Sequence, residues 1–235
     1  MATAKSKAES GAATRQRLLE AAEELFSERG FEAVSVRDIT ELAGANVAAV
    51  NYHFNGRDQL VDQVMERYIN PVNEERLARL ETLERKAGRK PVALEELLDA
   101  FVRPFVTQVR RSELSEKMFF KLMGRCFGDD GMRTMPDSVE QGFQAMLMRF
   151  MKAFGKALPD LDHEELLWRI HFMVGAMIHT MAHAETLNRF THGASGNPSM
   201  ERTLSRFIRF CSAGLRQQAK EKVTKKKGPQ DEFEF

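Results

Sequence analysis

The chain has 235 residues, enough for one substantial domain or for a small domain joined to a larger one. Its 35 basic and 34 acidic residues nearly cancel, which excludes a protein that binds polyanions through its overall charge. The two cysteines, Cys126 and Cys211, have neither CxxC nor metal-type spacing, so we expect buried thiols in a reducing compartment.

Both ends of the chain are rich in small and charged residues, so residues 1–13 and 218–235 are predicted to be disordered tails. Between them apolar residues recur at three- and four-residue spacing, and no stretch shows the alternation of a strand. We therefore predict an all-α fold, with a small domain over residues 14–60 and a larger one over residues 61–217.

The small domain is predicted to contain three helices. The first covers about 14–29 and ends at Gly30. Ser35 can cap a second short helix, with Asp38 completing a capping box, and Asn46 can cap a third that ends near Phe54. The residues of the second helix expected to face inward are Val36, Ile39, Leu42 and Ala43. Two such short helices around a glycine turn have the spacing of a helix-turn-helix.

A helical wheel gives the third helix two distinct sides. Val47, Val50 and Phe54 share one sector, which we expect to pack on the first two helices. The opposite sector and its flanks hold Ala48, Ala49, Asn51, Tyr52 and His53. Small side chains let a helix approach base edges in the major groove, and polar flanks reach phosphates. These residues could also be exposed positions without a function. DNA binding is favoured because the free backbone amides at the start of the second helix offer a site for an anion such as phosphate.

Residues 14–60 resemble the N-terminal DNA-binding domain of TetR-type transcriptional regulators. The resemblance rests on Gly-Phe after the first helix, Ser-Val-Arg-Asp-Ile at the start of the second, Ala-Gly at the turn and Tyr-His-Phe closing the third. The phosphate contacts that it implies are Ser35, Asn51, Tyr52, His53 and Arg57. The residues that it places nearest to base edges are Arg37, Ala48 and Ala49.

Two positions depart from the family pattern. Asn46 stands where the family often has serine or threonine, and Gly56 stands where it often has serine. Both residues still suit helix caps. Ala48 and Ala49 carry no side-chain donors, so Arg37 is the main candidate for a bidentate contact with guanine. We therefore expect one DNA-binding domain to recognise its half-site with modest base specificity, so that two half-sites are needed.

The larger domain is predicted to begin with a fourth helix from Arg57, bent or interrupted at Pro71, followed by a fifth that contains Pro104. Stripes of Phe and Met follow, which are more often ordinary core than a ligand cavity. TetR-type proteins couple a small-molecule site in this domain to the DNA heads, so the resemblance favours an effector pocket. The candidate residues are Phe101, Phe105, Met118, Phe119, Leu122, Met123, Phe143, Met146, Phe150, Met173 and Met177.

The last two predicted helices suggest a dimer. The eighth, capped by Asp162, is apolar nearly all round, and one chain cannot cover both of its faces. The ninth carries an apolar stripe, and two such helices from each subunit would form an isologous four-helix interface. This arrangement would set two recognition helices about one DNA turn, roughly 34 Å, apart. The interface candidates are Leu204, Phe207, Ile208, Cys211, Leu215, Gly175 and Ala182.

The sequence thus predicts a homodimeric repressor, not an enzyme, that binds a palindromic double-stranded operator and is released by a small apolar effector. The strings at 70–80 and 169–182 resemble a TetR branch that includes lipid- and fatty-acid-responsive regulators, which makes an acyl effector one candidate. The alternative is a regulator of efflux that responds to aromatic drug-like compounds.

A different class, a metal-binding enzyme in a helical bundle, stays open because His171, His179 and His183 share one helix. The zinc-protease string HExxH is absent, however, and we predict neither a metal nor a cofactor. The longest apolar run, 172–178, is far shorter than the roughly 20 residues that cross a bilayer. A cytoplasmic protein without a membrane segment is therefore expected.

Overall fold

The structure is a computed structural model that describes residues 2–111, 114–128, 131, 133, 135–182, 184–196 and 199–217. Within these residues all regular secondary structure is helical, which confirms the predicted all-α fold. None of the described helices has both the length and the apolar character needed to span a membrane. The helices are α1 (Ala2–Arg29), α2 (Val36–Ala43), α3 (Val47–Phe54), α4 (Arg57–Ala87), α5 (Leu94–Arg111), α6 (Glu116–Cys126), α7 (Asp137–Ala157), α8 (His163–Ala182), α9 (Ala184–Phe190) and α10 (Met200–Arg216).

Helix α1 begins earlier than predicted, because residues 2–13 also belong to it. These residues are mostly Ala, Lys and Glu, which favour helix, and no proline separates them from the amphipathic part. The tail predicted at residues 218–235 lies outside the described residues.

The small domain has its own core, in which α1, α2 and α3 pack against one another. The rings of Phe26 and Phe31 lie 5.1 Å apart, and Ile39 and Val50 are fully buried beside them. Leu42, predicted to face inward, is 49% exposed, and Thr40 takes the buried position instead. The hydroxyl of Thr40 donates to the carbonyl of Arg37 at 3.1 Å, which satisfies this polar group inside the core.

Helix α4 connects the small domain to the larger one. It runs without a break through Pro71, where the sequence predicted a kink or an interruption, and it contacts α1, α3, α5 and α7. Helix α1 also contacts α6. The small domain is therefore held to the larger one through both α4 and α6.

Three helices form the C-terminal part of the larger domain. Helix α8 begins where predicted, with the Asp162 carboxylate accepting from the backbone N–H of Glu165 at 2.8 Å. The guanidinium of Arg169 donates to the carbonyls of Gly214 and Leu215, both at 3.1 Å, at the carboxyl end of α10. Helix α10 is thereby fixed against α8. The short helix α9 was not predicted, because its seven residues carry too little apolar periodicity.

The two cysteines are buried free thiols, as predicted. Burial raises the pKa of Cys126 to about 12 and that of Cys211 to about 11. Both groups are therefore protonated near neutral pH and lack the thiolate that redox chemistry requires.

Candidate nucleic-acid interface

Local capping holds α2 and α3 in a helix-turn-helix. The Ser35 hydroxyl accepts from the backbone N–H of Asp38 at 3.2 Å, and the Asp38 carboxylate accepts from the backbone N–H of Ser35 at 2.8 Å. Hydrogen bonding to Ser35 lowers the pKa of Asp38 below its ordinary value. Gly44 closes α2 in the left-handed region, and Asn46 caps α3 by accepting from the backbone N–H of Ala49 at 2.9 Å. The predicted capping box and cap are confirmed.

Helix α3 turns Ala48, Asn51 and Tyr52 to solvent, and we call these residues the outer face of α3. Tyr52 is 83% exposed. Its ring lies edge-on to the half-buried ring of His53, with the two ring centroids 4.9 Å apart. Ala49 is half-buried against the core. The outer face thus has one small side chain and one amide beside an exposed ring, and none of the described residues covers it.

The buried side of α3 is narrower than predicted. Val50 and Phe54 are buried, but Val47 is 49% exposed. Val47 is the first residue of α3, and side chains in a helix tilt towards its N-terminus. Its side chain therefore projects past the helices that cover Val50.

The start of α2 presents Ser35 and Arg37 to solvent. Within the described part of the chain, the Arg37 side chain forms no hydrogen bond or ion pair. Its guanidinium keeps all of its donors for an external acceptor. Ser35 also donates its hydroxyl to Asp38, so a ligand at this position would compete with the capping box.

Arg57, expected to contact phosphate, is engaged within the chain. Its Nε donates to the carbonyl of Val34 at 3.0 Å, its Nη2 donates to the carbonyl of Phe31, and its Nη1 lies 3.7 Å from Asp58. These bonds fix the loop between α1 and α2 from the first turn of α4. The main role that the geometry gives to Arg57 is therefore structural, and its predicted phosphate contact stays a prediction.

Replacement of Arg57 by alanine is expected to lower the free energy of unfolding by about 1.5–3 kcal/mol, the usual range for hydrogen bonds to a charged group. Chemical denaturation followed by circular dichroism measures this loss. Arg37→Ala is the matched control and should change stability by no more than about 0.5 kcal/mol, because Arg37 is exposed. Unchanged stability of Arg57→Ala with a large loss of DNA binding would instead support a direct phosphate contact.

The predicted effector residues come together in the core of the larger domain. All except Met118 and Phe143 are buried, and those two are half-buried. The cavity among them is closed, with a volume of about 10 Å³. Its lining residues are Phe105, Phe120, Met123, Gly124, Met177 and Ile178. An effector could enter only if some of these side chains moved, which the flexible thioethers of methionine permit.

A larger cleft of about 900 Å³ opens between α4, α5 and α10, but its chemistry is different. Its walls carry charged side chains that pair with one another, such as Arg103 with Asp99 at 2.7 Å and Arg111 with Glu75 at 3.1 Å. An apolar effector would have to break or desolvate these pairs, so this cleft does not suit it.

The stripe predicted for the dimer interface is used within the subunit. Leu204, Phe207 and Leu215 are buried against α5 and α8 of the same chain, as is Cys211, and Ile208 is half-buried. Amphipathic spacing marks the face that is covered, whichever chain covers it. The stripe is therefore corrected from a dimer surface to an intramolecular one. Of the other two candidates, Gly175 is exposed and Ala182 ends α8.

A different apolar surface is exposed on α8 and α10. Trp168 is 53% exposed, Phe172 is 64% exposed and Phe210 is 74% exposed, and the rings of Trp168 and Phe172 lie 5.8 Å apart. Together with the 43% exposed Leu167, these residues form what we call the aromatic patch. Gly175 follows the patch one turn along α8, with open space around it. The sequence indicated that α8 has more apolar surface than one chain can cover, but the interface candidates named there did not include these residues.

Sequence reasoning also missed Arg76, which lies on α4 beside Phe101 and Phe105. It stands in the string NEERLARL, whose dense charge is typical of a solvated face. The structure buries it almost completely, at 1% exposure.

Two family models match the chain. The model described as bacterial regulatory proteins, tetR family, matches residues 18–64, and the model described as tetracyclin repressor-like, C-terminal domain, matches residues 99–214. The two matches cover both the helix-turn-helix and the larger helical domain.

Curated relatives are similar over shorter stretches. The transcriptional regulator AcrR of Shigella flexneri is 31% identical over 108 residues, which are 46% of this chain and 49% of AcrR. The transcriptional repressor KstR2 of Rhodococcus jostii is 36% identical over 56 residues, or 24% of this chain and 28% of KstR2. The chain thus spans half or less of the length of these relatives.

Solved structures agree in fold over most of the chain. AmtR of Mycobacterium smegmatis gives a TM-score of 0.57 at 15% identity, over 87% of each chain. HlyIIR, a hemolysin II transcriptional regulator, gives 0.56 at 19% identity, over 85% of this chain and 97% of HlyIIR. The two family models and the relatives agree, and the protein belongs to the TetR family of bacterial regulatory proteins, a family of regulators rather than enzymes.

Proposed function

We propose that this protein is a transcriptional repressor that binds a palindromic operator as a homodimer and is released when a small apolar effector enters the larger domain. The observation that carries the proposal is the outer face of α3, a rigidly capped helix that leaves Ala48, Asn51 and Tyr52 uncovered. The alanine lets the backbone approach base edges, and the amide and hydroxyl groups can contact phosphates.

The aromatic patch supports the dimer. Exposed aromatic residues at this density are costly to leave in water, since burial of a Phe side chain contributes about 1.5–3 kcal/mol. A second copy of the chain, related by a twofold axis, would bury Trp168, Phe172 and Phe210 against their own counterparts. The open space around Gly175 and Gly214 would allow the facing helices to approach closely. Each dimer would then present two copies of α3.

The contacts between the domains support release by an effector. Helix α4 lines the core and contacts α1 and α3, while α6, which contributes effector candidates, contacts α1. The guanidinium of Arg67 on α4 lies 3.1 Å from the buried carboxylate of Glu23 on α1. A shift of α4 or α6 would therefore move the small domain. A preference of about 1–3 kcal/mol for the shifted conformer would change operator affinity about 5- to 150-fold.

The test is selection of genomic fragments bound by the purified protein, followed by two variants on the selected operator. Tyr52→Ala is expected to weaken all duplexes alike and to leave the dependence of affinity on salt unchanged, because the phosphate contact that is lost comes from a neutral hydroxyl group that releases no counterion. Arg37→Ala is expected to relax base preference at one position of each half-site, with a cost of about 1–3 kcal/mol. Fluorescence anisotropy over a salt series measures both effects. Recovery of fragments without a shared palindrome would contradict the proposal.

A further inference from the structure

Arg76 is a buried cation in the middle of the larger domain. Its side chain comes from α4, and its guanidinium lies over the rings of Phe101 and Phe105, at 4.1 and 4.7 Å from their centroids. Only 1% of the residue is exposed. Arginine is rarely buried to this degree unless it is paired with an anion.

The hydrogen bonds of Arg76 are incomplete. Its Nε donates to the carbonyl of Phe101 at 2.8 Å, and its Nη1 donates to Oδ1 of Asn73 at 3.1 Å. Nη2 of Arg76 and Nδ2 of Asn73 are buried without any acceptor in the described part of the chain.

No described carboxylate pairs with Arg76 either, although other arginines of α4 and α5 have such partners. Burial without a counter-ion lowers the pKa of its guanidinium to about 9. A core position that served packing alone would be filled better by Met or Leu, since replacing buried charge by apolar groups often stabilises a protein. Nη2 of Arg76 and Nδ2 of Asn73 therefore lack a shared anionic acceptor.

The two donors stand at the edge of the apolar core that holds the effector candidates. Phe105, which covers the guanidinium, also lines the closed cavity together with Met123 and Met177. A molecule that enlarged this cavity towards α4 would meet Phe105 and then the guanidinium. Its apolar part would contact Phe and Met side chains, and its end would reach Arg76 and Asn73.

We infer that Arg76 and Asn73 bind the carboxylate of an effector whose remainder is an apolar chain, so that the effector class is a long-chain monocarboxylic acid. The inference rests on the proposed function, in which this core admits an effector. A guanidinium and an amide side by side suit the two oxygens of one carboxylate. A phosphate would leave a further oxygen and a further charge without partners in this apolar surrounding.

The experiment measures binding of dodecanoate and of dodecan-1-ol, which has the same chain without the charge, by isothermal titration calorimetry in the absence of DNA. Wild type is expected to bind the acid at least about tenfold more tightly than the alcohol, as charged hydrogen bonds imply. Arg76→Met should lose this difference while still binding the alcohol. Arg79→Met, which removes an equal charge from an ion pair on the surface of the same helix, should keep it.

Equal affinities for acid and alcohol in wild type, or an unchanged preference in Arg76→Met, would overturn the inference. A second measurement uses wild type alone, with dodecanoate carrying ¹³C in the carboxyl group. The bound carboxylate should titrate at lower pH than the free acid, because Arg76 stabilises its charge. A bound carboxyl group that titrates at higher pH than the free acid would also overturn the inference, even if the variant failed to fold.

Operator binding separates this inference from the proposed function. Acid that binds through Arg76 without releasing DNA would contradict release by an effector and leave the carboxylate site intact. Release by the alcohol and the acid at equal concentrations would leave effector control intact and contradict the carboxylate site.

Discussion

Aspartate in place of Phe172 is expected to convert the protein to a monomer and to weaken operator binding by about a hundredfold to ten-thousandfold. Phe172 is 64% exposed in the aromatic patch, so the substitution should not disturb the fold of the subunit. In a twofold interface it would bury two carboxylates facing each other, which is unfavourable unless each is paired. Operator affinity then falls because the two DNA-binding domains are no longer joined in one dimer, so each half-site is bound independently.

Sedimentation velocity measures the monomer–dimer equilibrium, and Trp168 supplies an independent signal. Trp168 is the single tryptophan of the chain and lies in the aromatic patch. Its emission should shift to longer wavelength when dilution or Phe172→Asp separates the subunits. Met148→Asp is the matched control, because Met148 is 54% exposed on α7, outside the patch. A dimeric Phe172→Asp variant, or an equal effect of Met148→Asp, would show that this patch is not the interface.

The parts of the fold that follow local rules could be predicted from the sequence. Ser35 and Asp38 form a capping box, and Gly44 ends α2 in a left-handed conformation, because these effects depend on a few neighbouring residues. The family resemblance and these local signals together placed α2 and α3 correctly.

The partner of an apolar face could not be predicted. Leu204 and Phe207 have the spacing of a covered stripe, but the spacing does not tell whether the same chain or a second chain covers it. The position of α5 decides this, and α5 is distant in sequence. Trp168 and Phe172 are interface candidates because both remain exposed although α10 contacts α8.

The contacts of individual arginines could not be predicted either, because the sequence pattern does not show which groups the guanidinium at the end of a long side chain will reach. Arg57 lies next to a helix start, and the resemblance implied a phosphate contact, whereas its guanidinium reaches back to Val34 and Phe31. Arg76 lies in a highly charged string and is nevertheless buried, because its guanidinium donates to the carbonyl of Phe101 and lies over the rings of Phe101 and Phe105 on α5. Both outcomes depend on contacts between segments that are far apart in the chain.

Glutamate in place of Ala48 is expected to reduce operator affinity by at least about a hundredfold while leaving the protein folded. Ala48 lies on the outer face of α3, where a carboxylate would enter the major groove between two phosphate backbones, and apposed like charges cost several kcal/mol. Stability should stay within about 0.5 kcal/mol of wild type, because the position is exposed. A negative charge in the first turn of a helix is also favourable. Fluorescence anisotropy on the selected operator and thermal denaturation measure the two quantities.

Ala78→Glu is the control for net charge, since Ala78 is exposed on α4 in the larger domain and the substitution adds the same charge. Its operator affinity should remain within about twofold of wild type, because a solvent-exposed charge more than a Debye length, about 10 Å, from DNA is largely screened in 0.1 M salt. Raising the salt concentration should not restore binding to Ala48→Glu, because the new carboxylate also occupies the space of the base edges. If Ala48→Glu bound the operator as tightly as Ala78→Glu, the outer face of α3 could not be the surface that enters the groove.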